Sequence, residues 1–388
     1  MPFNSLEISP DGTCKVCCKI DANIKKDDGT DFNVLYDKLD NIWHSTDINQ
    51  LRNKFTSNQK PVECWRCWTE EESKVKSLRL QSMYYRVDQL KPEITYLSLK
   101  LSNKCNLACR ICSPALSSLW QTQFKKLNWD LTPIEMFKTI DIDKFQGDRL
   151  QSLQHISKNL THLLIYGGEP LVNDEIINYL TYLATVGISK NIQLTLNTNG
   201  TIYTDSLIDT FLKFKSVDLF LSVDDIDTRF EYQRWPAKWS KIHNNISKYA
   251  LVKDKINVEF YPTVSVLNIC NIEEILERLT TYNIPITFNN IIHEPELLSI
   301  RNLPRLCKNK LIDDISSINF TRFNFNKQYP DVKSSLINFM QLPNDDGWNL
   351  NKAGYLKKFV QGMTDVDNLR QTPVQEFLPE LWKLLNDS

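Results

Sequence analysis

Glycine is scarce, with 10 in 388 residues, and the charges nearly cancel, 46 basic against 47 acidic for a net of −1. Such a chain has no broad basic field to hold nucleic acid or an anionic membrane, so general nucleic-acid binding is not expected. No apolar run reaches the roughly 18 residues of a membrane span. The opening Met-Pro-Phe-Asn-Ser-Leu-Glu has neither the basic nor the apolar part of a signal peptide. A cytoplasmic protein without a membrane partner is the expectation. Internal repeats and low-complexity tracts are missing too. Cysteine, at 10 residues, is too sparse for a disulfide scaffold. Its placement is more telling than its number. The cysteines stand at 14, 17, 18, 64, 67, 105, 109, 112, 270 and 307, most of them in close groups before residue 113. Clustered thiols in a reducing compartment point to metal.

From about residue 94 the pattern alternates. Short β-rich runs at 96–101, 163–166, 193–196, 219–223, 258–266 and 284–288 are separated by helix-like segments. One helix is fully signposted. Asn173 is its N-cap, Asp174 and Glu175 suit its positive end, Ile176, Ile177, Leu180, Leu183 and Ala184 make its apolar face, and Gly187 closes it. Six such units predict an α/β fold, a partial (β/α)6 TIM-type barrel with its chemistry at the carboxyl ends of the strands. Residues 1–90 lack the rhythm and read as a small cysteine-rich N-terminal domain, 91–300 as the barrel, and 301–388 as a helical C-terminal extension that packs on the barrel and covers it.

The most specific feature is Cys105-Asn106-Leu107-Ala108-Cys109-Arg110-Ile111-Cys112, a C-x3-C-x2-C triplet directly after the first barrel strand. Three thiolates on one loop can ligate three irons of a cubane and leave the fourth iron open. A zinc knuckle is the alternative, but zinc wants a fourth ligand and no Cys or His follows nearby. Downstream stand Tyr166-Gly167-Gly168-Glu169-Pro170 after the second strand, Asn197-Thr198-Asn199-Gly200 after the third, Ser222-Val223-Asp224-Asp225 after the fourth, and Thr263 to Asn268, with Val264, at the end of the fifth. In this order the motifs resemble those of the radical S-adenosylmethionine (SAM) enzymes. The resemblance implies a SAM-binding 4Fe-4S cluster on Cys105, Cys109 and Cys112. Gly167, Gly168 and Glu169 would hold the SAM amino group. Asn197, Ser222 and Val264 would contact ribose, carboxylate and adenine, Arg234 would pair with the SAM carboxylate, and Ile111 would pack near adenine.

The N-terminal block offers two C-x2-C pairs, Cys14/Cys17 and Cys64/Cys67, with Cys18 beside them. By spacing alone, zinc and an iron-sulfur cluster are both open. Gly12-x4-Cys17, the tandem Cys17-Cys18, and Cys64-x2-Cys67 followed by Glu70 to Glu72 resemble the twitch domain, the short relative of the SPASM domain. That resemblance implies an auxiliary 4Fe-4S cluster on Cys17, Cys64 and Cys67, with Cys14, Cys18 or an outside group as the fourth ligand. The upstream cysteine usual in such proteins is absent from Met1-Pro2-Phe3. Cys270 and Cys307 stand alone and read as small buried hydrophobes.

The resemblance implies an enzyme that reductively cleaves SAM to a 5'-deoxyadenosyl radical and abstracts a hydrogen atom from its substrate. Its electron donor would be a flavodoxin or ferredoxin. Relatives with SPASM or twitch domains often modify peptides, so a peptide or protein side chain is the leading substrate. A nucleotide or sugar is the small-molecule alternative, and a non-catalytic metal or redox sensor is the reading from another class.

Overall fold

A computed structural model describes residues 2–20, 22–72, 77, 79–80, 91–114, 116–127, 153–288, 290–327 and 331–386. The domain boundary expected near residue 90 lies outside the described residues. The chain divides into two compact units, one of Met1–Lys104, Met136–Asn197 and Asp205–Asp218, the other of Cys105–Glu135, Thr198–Thr204 and Leu219–Ser388.

The first unit is built on strands β1 (Ser5–Ile8), β2 (Cys14–Lys15), β3 (Tyr96–Leu99), β4 (His162–Ile165) and β5 (Gln193–Thr198), side by side in the order β2-β1-β3-β4-β5. Only β2 runs antiparallel to its neighbour; β1, β3, β4 and β5 are parallel. Register explains their cohesion. Leu6, Leu97, Leu163 and Leu194 stand opposite one another, as do Ile8, Leu99, Ile165 and Leu196. All eight are buried. Because alternate residues share a face, these two rows make one continuous aliphatic surface, and Glu7, Ser98, Leu164 and Thr195 line up on the opposite face. The cysteine-rich N-terminal block thus contributes a strand that pairs directly with the first barrel strand, which its lack of β/α rhythm did not suggest.

The helix Asp174–Thr185 forms as its sequence predicts. The Asn173 side chain accepts from the Glu175 N–H at 3.0 Å, Ile176, Leu180 and Leu183 are buried, and Gly187 takes φ +75°. Tyr179 joins the buried face, its hydroxyl 2.8 Å from that of Ser157.

In the second unit the carboxyl ends of the strands continue the pattern. The Ser222 N–H donates to the Thr198 carbonyl at 2.9 Å and the Tyr261 N–H to the Leu221 carbonyl at 2.8 Å, which joins the ends of β5, β6 (Ser216–Leu221) and β7 (Asn257–Phe260). The run at 258–266 is not one strand. Pro262 has no N–H to give the ladder, and the chain restarts as β8 (Thr263–Val264), parallel to β9 (Asn290–Ile291). The sixth expected strand, 284–288, contains Pro285 and is reduced to bridges from Ile286 to Phe260 and Phe325. The fold is therefore α/β with a mainly parallel sheet. Helices Arg305–Ser317, Val332–Gln341, Lys352–Arg370, Val374–Phe377 and Pro379–Asn386 form the C-terminal extension. Among the described residues no helix is long and apolar enough to cross a membrane.

Candidate functional site

In the second unit the three-cysteine loop is fixed by its backbone. Ser117 caps the helix Ser118–Lys126 by accepting from the Trp120 N–H, and its hydroxyl donates to the Leu107 carbonyl at 2.5 Å. The Trp120 indole N–H donates to the Cys109 carbonyl at 2.7 Å. From another side the Ala108 N–H reaches the Trp235 carbonyl at 2.7 Å and the Arg110 N–H the Gln233 carbonyl at 2.8 Å. Asn106 donates to the Thr201 hydroxyl and accepts from Asn199, both at 2.9 Å, which ties the loop to the segment after β5. Burial pushes the Cys109 thiol up to about 12 against the pull of Arg234, and the Cys112 thiol to about 11. The Cys109 shift includes repulsion from Cys112 and Cys105 and the Cys112 shift repulsion from Cys105, so the three lie within electrostatic reach of one another.

Arg234 is buried behind this loop. Its Nε donates to Asp224 Oδ2 at 2.7 Å, and its Nη1 lies 3.9 Å from Cys109 Sγ. Burial alone would lower its pKa, but Asp224 and Cys109 together hold it above the ordinary arginine value. Asp224 also accepts from the Thr263 N–H at 2.8 Å. One carboxylate thus joins the end of β6, the Arg234 turn and the start of β8. Ser222 and Ile111 are half-buried, and Val264 is buried with its carbonyl bonded to the Ile292 N–H.

In the first unit Gly167 and Gly168 take φ +83° and +60°. A Cβ on Gly168 would lie 2.6 Å from the Lys104 carbonyl and 3.0 Å from that of Ser102, so only glycine lets the two strand ends approach. The Glu169 N–H donates to the Lys104 carbonyl at 2.9 Å, and its buried carboxylate accepts from the Leu171 N–H at 3.1 Å. Beside them the Tyr166 hydroxyl donates to Glu7 at 2.7 Å, and the Lys100 ammonium lies 4.7 Å from the Tyr166 ring centre. Asn197 is half-buried on β5.

The N-terminal cysteines separate into two settings. Cys14 is buried in the β1–β2 hairpin with its thiol toward the Gly12 carbonyl at 3.7 Å, and burial pushes it up to about 12. Cys17 is held down to about 7, first by the hydrogen bond from Cys18, which is itself pushed up by giving that bond. Cys64 rises to about 12 through burial and then through the nearby Cys17 and Cys67. Cys17, Cys18, Cys64 and Cys67 are therefore neighbours, and Cys14 has its own partners. Among the described residues no three His, Cys, Asp or Glu side chains close on one point as a single ion would require. Each thiolate of an iron-sulfur cluster bonds a different iron, and thiols are the donor type such clusters take.

Residues 99–279 match the Radical SAM superfamily, and residues 1–68 match SPASM, an iron-sulfur cluster-binding domain. The chain belongs to the radical SAM superfamily. This radical SAM enzyme goes with a 4Fe-4S cluster and SAM, and its SPASM domain with an auxiliary iron-sulfur cluster. It is 29% identical over 117 residues to GTP 3',8-cyclase of Syntrophomonas wolfei subsp. wolfei, 30% of each chain. It is 24% identical over 244 residues to molybdenum cofactor biosynthesis protein 1 of Dictyostelium discoideum, 60% of this chain and 35% of that one. The radical SAM chain thus spans about a third of the length of these curated relatives. The solved structure of Streptococcus suis SuiB bound to precursor peptide SuiA is 15% identical at a TM-score of 0.39, covering 68% of this chain and 61% of that one.

Sequence reasoning missed the residues that support the cysteine loop from far along the radical SAM chain. Arg110 pairs with Asp367 at 2.6 Å, donates to the Tyr232 carbonyl at 3.0 Å and stacks on the Tyr232 ring at 3.7 Å. Arg370 donates to the Ala108 carbonyl at 2.8 Å. Asp367 and Arg370 lie in the polar C-terminal helix Lys352–Arg370, where no motif marks them.

Proposed function

We propose that this radical SAM enzyme abstracts a hydrogen atom from a peptide or protein side chain. Its cofactors supply the reductive cleavage of SAM to methionine and the 5'-deoxyadenosyl radical that takes the hydrogen. Cys105, Cys109 and Cys112 hold the SAM-binding cluster. Glu169 and Arg234 meet the charged ends of SAM, with Gly167 and Gly168 allowing the approach and Asn197, Ser222, Val264 and Ile111 lining the rest. Cys17, Cys64 and Cys67 hold the auxiliary cluster, and Cys18 is better placed than Cys14 as their fourth partner, because its thiol is hydrogen-bonded to Cys17 while Cys14 faces the Gly12 carbonyl. The observation that carries the reading is the three-thiol loop with the buried Arg234 3.9 Å behind Cys109.

A peptide substrate is supported by the SPASM match at residues 1–68, since relatives with such domains often modify peptides. A second reading, a nucleotide substrate, is favoured by the relative named GTP 3',8-cyclase. A flavodoxin or ferredoxin is the electron donor in either case. The test is dithionite-driven formation of 5'-deoxyadenosine from SAM by anaerobically reconstituted protein, alone, with a peptide library, and with GTP. Stimulation by peptides with a mass change in one of them is the expected result. Stimulation by GTP alone would favour the nucleotide reading, and no deoxyadenosine under any condition would overturn both.

A further inference from the structure

Three buried arginines lie in or against the cysteine loop in the second unit, and they are not equivalent. Arg234 is paired with Asp224 and Arg110 with Asp367. Among the described residues Arg370 has no carboxylate at ion-pairing distance. Its Nε and Nη2 both donate to the neutral Gln123 amide oxygen, at 3.0 and 2.6 Å, Nη2 also donates to the Ala108 carbonyl, and Nη1 is buried with no hydrogen-bond partner. The guanidinium lies 4.8 Å from the Trp120 ring and 5.1 Å from the Trp235 ring. Those are the two residues whose own polar groups bind the loop backbone at Cys109 and Ala108. Burial, with Arg110 adding to it, pulls the Arg370 pKa down to about 9, which leaves the group charged at neutral pH.

A cation held away from water beside a metal cluster stabilises whichever oxidation state carries more negative charge. Aromatic faces and a neutral amide keep the charge in place without cancelling it. Resting on the reading of this loop as the cluster site, we infer that Arg370 is a positioning residue that sets the reduction potential of that cluster: its uncompensated charge favours the one-electron-reduced state. The C-terminal extension would then tune the step that starts the reaction as well as pack on the barrel.

The test is an EPR-monitored redox titration of the reconstituted full-length protein, following the signal that changes when SAM is added. Arg370→Gln should lower the reduced-to-oxidised ratio of that cluster about tenfold at a fixed potential, equivalent to about 59 mV for one electron. Arg370→Lys, which keeps the charge, should stay near the wild type. Asp367→Asn, which removes a negative charge from the same helix, should shift the midpoint the opposite way. Opposite signs are what a packing role would not produce. Equal midpoints in all four proteins, or shifts of one sign in the Gln and Asn variants, would overturn the inference. If circular dichroism shows the Gln variant unfolded, the direction of the Asn variant decides. A wild type with no SAM-responsive signal would overturn the cluster assignment instead, which keeps the two failures apart.

Discussion

Asp225 shows how burial can outweigh partners at a single residue. Arg229 Nε at 2.9 Å, Gln233 Nε2 at 2.7 Å and the Ile226 N–H at 2.8 Å all donate to its carboxylate, yet burial raises it from 3.8 to about 7. The folded chain therefore keeps a proton that the unfolded chain has lost through the interval from about pH 4 to about pH 7. The stability this group contributes is present below that interval and is lost as pH rises through it. Urea unfolding across pH 4 to 8 should show the wild type losing stability relative to Asp225→Asn up to about pH 7 and running level with it above. Parallel curves would show that the group is ionised throughout. Residues of this kind were half legible in advance. The doublet Asp224-Asp225 stands out in the sequence, but which member would pair with Arg234 depends on how the strand end turns.

Among elements, the helix Lys352–Arg370 carries most of what the sequence hid. Its hydrogen bonds to the cysteine loop join residues separated by 257 and 262 positions, Arg110 with Asp367 and Ala108 with Arg370. No local pattern encodes such pairings, whereas caps, alternation and glycine positions are local, and they gave Asp174–Thr185 and five of the six expected barrel strands in recognisable form. The fifth, 258–266, breaks at Pro262 into β7 and β8, and the sixth, 284–288, contains Pro285 and keeps only bridges. The buried pair makes the long-range link measurable. Arg110→Met should cost about 3–5 kcal/mol in urea unfolding, because it leaves Asp367 buried without its partner. Arg110→Met with Asp367→Asn should recover at least half of that loss, since no lone charge remains and the Asn oxygen can still accept from the Val374 N–H. A double variant no better than the single one would show that the arginine acts by its hydrogen bond to the Tyr232 carbonyl and its stacking, not by charge.

On the scale of the whole molecule, the two thiol sets belong to different compact units, Cys17, Cys64 and Cys67 to one and Cys105, Cys109 and Cys112 to the other. Their metal content should therefore separate cleanly. Replacing Cys105, Cys109 and Cys112 by Ala should remove about four irons and all SAM cleavage. Replacing Cys64 and Cys67 should remove a similar amount while some SAM cleavage survives. Iron and sulfide analysis with a deoxyadenosine assay checks both, and loss of all iron from either variant would show that the sites depend on each other.

The position of β1 bears on how the chain is made. It is translated well before its parallel partner β3, which begins only at Tyr96. At about 5–20 residues per second, the roughly 90 residues between them take about 5 to 18 seconds to synthesise. Throughout that interval β1 has only its short β2 hairpin, and Cys17, Cys64 and Cys67 are all translated before it ends. The nascent chain thus offers its N-terminal thiols to iron-sulfur delivery before the sheet that will bury its first strand can form.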